Sequence, residues 1–236
     1  MEKFTQWFSN FWYHYKLHIL AVLFCAVILI IACTQIIYGK KIDVNIIYAG
    51  PQYFSSEMIR DIERAFEQAM SFDYNGDGVK GAVLLDMTLL TDEQIREMMT
   101  EAEINGEGKP VFDPIEISNL RKKLEMEIFA GESVICLFDP YWYRYILDAQ
   151  GLRSLSEILG YEIENTVEGE GYGIYLKDAA FGQYFSVLSA LPEDTILCIR
   201  RMTTTSIFKG VKKEETRYSW HVAMFKDIIN FKLKTD

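Results

Sequence analysis

The sequence has 236 residues, 50% hydrophobic and 25% charged, with a formal net charge of −10. Only Glu2, Lys3 and Lys16 are charged ahead of Lys40, so the acidity belongs to the remainder, where no basic stripe stands ready to neutralise phosphates; nucleic acid is therefore excluded as a partner. The hydrophobic share is too high for a disordered chain, and about 195 residues beyond the apolar N-terminal stretch suit one domain.

Residues 1–16 carry Phe4, Trp7, Phe8, Phe11, Trp12 and Tyr15 at helical spacing, an aromatic stripe that reads as an amphipathic segment lying at a membrane interface. The other reading is that these residues extend the helix that follows. From Leu17 to Tyr38 no residue is charged, and about 22 positions at about 1.5 Å each span a bilayer. Residues 17–38 are thus expected to be a transmembrane anchor in contact with lipid. The long aromatic lead and uninterrupted span favour an uncleaved anchor over a signal peptide. A rival reading takes Ile30-Ile31-Ala32-Cys33 as a lipoprotein box with Cys33 lipidated. Lys3 and Lys16 on one side balance Lys40 and Lys41 on the other, so basic residues leave the orientation open.

The remainder, residues 41–236, reads as one α/β domain. Lys41 to Tyr48 alternates and then runs apolar as a strand, ending at Gly50-Pro51. Ser55 caps a helix carrying Ile59, Ile62, Ala65, Phe66 and Ala69. Ala82 to Leu90 is a second strand, followed by a capping box, Thr91 with Gln94, that opens the next helix. Asn105 to Val111 is a loop, and Asp113-Pro114 starts a helix that Gly131 closes. Ser133 to Phe138 is a third strand, Pro140 begins an aromatic helix, and Ser154 caps a short one. Strands at Tyr172 to Leu176 and Thr195 to Arg201 and a helix from Arg217 to Leu233 complete the chain. Such alternation predicts a mostly parallel sheet with helices on both faces. Cys136 and Cys198 lie in β-like runs and read as buried thiols, a disulfide being possible only if the two strands are neighbours.

The stretch from Arg121 to Gly160, with its Ala130-Gly131 pair, strand-ending Asp139, aromatic Trp142 and the Gly151 to Leu159 segment, resembles the first lobe of extracellular solute-binding proteins of ABC importers. The chain is too short for the second lobe of that family. The resemblance implies a shortened, membrane-anchored, single-lobe relative of the kind found in clostridia-like bacteria. It also implies a cytoplasmic N-terminus and an extracytoplasmic domain.

In open α/β sheets ligands gather beyond the carboxyl ends of strands. Here those ends offer Tyr48, Gln52, Asp86, Asp139, Tyr141 and Trp142, whose flat rings and polar tips suit a sugar or a peptide. The alternative is that the aromatic residues pack the helix while Asp139 caps it. Asp73-Tyr74-Asn75-Gly76-Asp77-Gly78-Val79 follows the first half of an EF-hand-like calcium loop, with ligands expected at Asp73, Asn75, Asp77 and the Val79 carbonyl. Leu84 occupies the place of the closing carboxylate, so Asp86 or water would have to complete the set; a polar turn is the alternative.

Beyond the membrane-proximal region His221 is the only histidine, the Thr203 to Ser206 tract has no nucleophile elbow, and Gly169 to Gly173 precedes a strand rather than a helix. These features lead us to expect a non-enzymatic binding domain. The alternative is a degenerate lobe serving as a structural or protein-interaction module with a membrane protein partner.

Overall fold

The computed structural model describes residues 2–38, 42–106, 112–202 and 211–232. Outside them fall Lys41 of the expected first strand, most of the loop up to Val111, the Thr203 to Ser206 tract and Leu233. The side chains from Phe4 to Phe11 and that of Cys33 are also outside. The chain divides into two compact units, Met1–Lys41 and Ile42–Asp236.

The first unit is one helix, α1 (Glu2–Tyr38), unbroken through Lys16, so no interruption separates the aromatic stretch from the apolar one. Its 20 residues Trp12–Ile31 are long and apolar enough to cross a membrane, and no other helix among the described residues is.

In the second unit, β1 (Val44–Gly50) leads to α2 (Ser56–Ala69), β2 (Ala82–Thr88), α3 (Asp92–Ile104), α4 (Pro114–Ala130) and β3 (Ile135–Phe138). Then come α5 (Pro140–Asp148), α6 (Leu155–Leu159), β4 (Gly173–Tyr175), α7 (Ala180–Tyr184), β5 (Ile196–Ile199) and α8 (Val211–Ile229). The caps form as local chemistry dictates. Ser55 accepts the Met58 amide at 3.2 Å, and Thr91 and Gln94 close their box at 3.1 and 2.8 Å. Asp113 and Asp139 cap α4 and α5, each with proline in the first turn. Ser154 precedes α6 as expected but makes no side-chain cap bond.

The five strands run in the order β2-β1-β3-β5-β4. β1 pairs in parallel with both β2 and β3, whereas β5 is antiparallel to β3 and to β4. The sheet is therefore mixed, and the expectation of a mostly parallel one holds for the β2-β1-β3 half. The reason lies between β4 and β5, where the chain holds only 3-10 turns and the five-residue α7. A right-handed parallel crossover normally rests on a longer helix.

Strand side chains alternate between two cores. Val44, Ile46, Tyr48, Ile135, Leu137, Leu197 and Ile199 pack with α2, α6, α7 and α8 on one face. Ile47, Ala49, Cys136, Phe138, Ile196 and Cys198 pack with α4 and α5 on the other. Cys136 and Cys198 are register partners across β3 and β5 and are buried free thiols.

Candidate functional site

Toward the carboxyl ends of the parallel strands, register sets Tyr48 opposite Asp86 and Gly50 opposite Thr88. Asp139 follows β3 directly, its amide bonded to the Ala49 carbonyl at 3.0 Å. The expected loops thus do converge. Their side chains do not share one cleft.

Tyr48 is fully buried among the α2-side residues, its ring edge-on to Phe54 at 4.8 Å. Its hydroxyl accepts the Gln52 amide at 3.1 Å and curls over Gly50, where a Cβ would collide with it. Burial pushes the phenol well above its ordinary value. Trp142, 3% exposed, belongs to the opposite core, packed edge-on against Tyr141 and Tyr145 at 5.0 and 5.8 Å. The sheet therefore separates the two aromatic residues expected to line a common crevice. Tyr141 is exposed, and Gln52 turns its side-chain amide to the Tyr53 carbonyl at 3.1 Å.

The two carboxylates have different surroundings. Asp139 is buried, with Oδ1 accepting the Trp142 amide at 2.8 Å and Oδ2 accepting from Gln94 Nε2 at 3.4 Å. It caps α5 as the alternative reading holds. Asp86 is partly buried, and its Oδ1 has no hydrogen-bond partner. Burial raises the pKa of both. Trp142 Nε1 and the Tyr143 hydroxyl are also buried without partners.

The 73–79 loop lies at the other end of the strands. Asp73 accepts the amides of Asn75, Gly76 and Gly78 at 3.1, 2.8 and 2.6 Å, Asn75 accepts that of Asp77, and Asp77 that of Val79. Gly76 and Gly78 supply positive φ of 75° and 90°, which the turn requires. These amides, Gly78 foremost, pull the Asp73 carboxyl below its ordinary value. Asp86 sits four residues along β2 from the strand's first residue, about 13 Å at about 3.3 Å per residue, too far to complete the set. Asp43 is the nearer carboxylate: fully buried, it accepts the amides of Asn75 and Gly81, both at 2.8 Å. Burial raises its pKa, with Asp73 and Asp77 adding to the rise. Among the described residues no group of three or more His, Cys, Asp or Glu is placed to hold a metal ion.

Sequence reasoning missed Asp43 and the bridge from Gln94 to Asp139. Both depend on register between distant segments, and neither leaves a local signal. No protein-family model, curated protein or solved structure matches this chain.

Proposed function

We propose that the chain is a membrane-tethered, non-enzymatic α/β lobe that serves as a protein-interaction module of a membrane complex rather than as a solute receptor. The observation that carries this reading is the burial of Tyr48 and Trp142 in opposite cores, which leaves the strand ends without an aromatic cleft. Helix α1 supplies the tether, and the likeness of Arg121 to Gly160 to one solute-binding lobe supplies the orientation, N-terminus inside and domain outside. The absence of catalysis rests on roles already taken: Asp139 caps a helix, and the His221 ring is enclosed and bonded on both nitrogens. Helices α3 and α4 leave Met98, Met99, Ile115, Met126 and Phe129 exposed, apolar area suited to a protein surface.

A second reading, a small ligand at the strand ends, draws on the unpartnered Asp86 oxygen. Thermal-shift measurement of the full chain in detergent against sugars and peptides separates the two. The first reading expects no shift; a saturable shift lost in Asp86→Ala would replace it with the second. A photo-crosslinker at Phe129 should give one discrete membrane-protein adduct that the same probe at Arg64 on α2 does not. We read the 73–79 loop as a structural turn, and a calcium-induced rise in melting temperature that disappears in Asp77→Ala would make it a calcium site instead.

A further inference from the structure

Helix α8 and β1 are joined by one imidazole. His221 is 1% exposed; its Nε2 accepts the Asn45 amide at 2.8 Å, and its Nδ1 meets the Arg217 carbonyl at 2.8 Å. Because a backbone amide only donates and a carbonyl only accepts, Nδ1 carries the proton and Nε2 the lone pair. The Asn45 carbonyl takes the Val134 amide on the β3 side, but β3 starts only at Ile135. The imidazole thus stands where a strand carbonyl would otherwise complete the ladder.

The charges around the ring come from three elements. Helix α8 itself contributes Arg217 and Glu214, the segment after β5 contributes Arg200, and the turn between α4 and β3 contributes Glu132. β1 presents the neutral Asn45. Arg217 is paired with Glu132 at 2.9 Å. Arg200 is buried and donates to the carbonyls of Ile128, Gly131 and Ser133, a cation held by the carboxyl end of α4.

We propose that His221 is an acid-released latch, in which protonation turns Nε2 from an acceptor into an N–H aimed at the Asn45 N–H, and α8 lifts from β1. The charged ring would also be a further buried cation beside Arg200 and Arg217. Lifting α8 uncovers Met224, Phe225 and Ile228, so acid would expose an apolar face of the lobe. This goes beyond the interaction reading and does not depend on which partner binds.

Burial, ahead of every other cause, lowers the imidazole pKa from 6.5 to about 4. Once α8 has lifted, the ring titrates near its ordinary value, so the closed state weakens as pH falls through 6.5 and the loss is complete below about 4. Each pH unit in that window favours opening about tenfold, about 300-fold in all. Asp43, Asp86 and Asp139, whose values burial raises, push global stability the other way, which makes a local measurement necessary.

The test is amide hydrogen exchange of the full chain in lipid nanodiscs at about pH 7 and about pH 4, corrected for intrinsic rates. The latch predicts that exchange at Asn45 and across residues 211–229 accelerates by up to about 300-fold on acidification. His221→Gln, which keeps a side-chain acceptor that does not titrate, should exchange equally at both pH values. Unchanged protection of Asn45 in the wild-type chain, or a wild-type acid response in His221→Gln, would overturn the proposal. Should His221→Gln fail to fold, the wild-type pH profile decides: acceleration at Asn45 that begins near pH 6.5 and levels off near pH 4 upholds the latch, and an imidazole midpoint near 6.5, or no acceleration in that window, sinks it.

Discussion

The two ends of strands β1 and β2 carry carboxylates in opposite states. At the amino end Asp43 and Asp73 trade solvation for backbone amides, five bonds between them spanning Asn75 to Gly81. At the carboxyl end Asp86 has an oxygen with no partner. A desolvated polar group stabilises only where its bonds are returned. Asp43 is therefore held by the bonds it accepts, whereas Asp86 is desolvated without return, and removing these two carboxylates should have opposite signs.

The largest effect belongs to Asp43→Ala, which leaves the buried Gly81 amide without its carboxylate acceptor and takes from the Asn75 amide the closer of its two. Denaturant unfolding of the full chain in detergent should show a loss of about 3 kcal/mol. A loss below about 1 kcal/mol would mean that the loop finds other acceptors. Asp139→Ala removes the α5 cap and should cost about 1 kcal/mol in the same measurement. Asp86→Asn should instead stabilise, by about 0.5 to 1 kcal/mol, because no bond is lost and a partly buried charge disappears. Destabilisation by Asp86→Asn would erase the contrast between the two ends and point to a real role for the carboxylate.

The amino-acid order made much of this architecture legible, and what it hid has a common cause. Caps at Ser55, Thr91, Asp113 and Asp139 are local, a side chain meeting an amide two or three residues on, and they form where spacing places them. The inward face of β1 is also local, since alternation groups Tyr48 with Val44 and Ile46. The direction of β5 is not local: its apolar run reads the same either way, and the short α7 left no periodicity to reveal a returning chain. The first turns of α8, Val211 to Thr216, are too polar to announce a helix, so its start lies six residues before the expected Arg217. The separation of Tyr48 from Trp142 has the same origin. Trp142 lies opposite Tyr48 because α5 covers the other face of the sheet, a choice made by the crossover and not by either residue.

The smallest expected effect concerns how the Asp86→Asn gain varies with acidity. Burial raises the folded-state pKa of Asp86 above the ordinary 3.8. Above that raised value the native chain holds a desolvated charge that the unfolded chain solvates, and stability is lower for it. As pH falls through the raised value the folded state takes up the proton first, and below 3.8 the penalty is gone in both states. The advantage of Asp86→Asn should thus be full at neutral pH and fade in acid. Asp43, Asp139 and His221 titrate in both proteins, so their contributions cancel in the difference of unfolding free energies. A gain that persisted unchanged into acid would come from packing of the amide rather than from removal of charge, and the carboxyl end would then owe its character to shape.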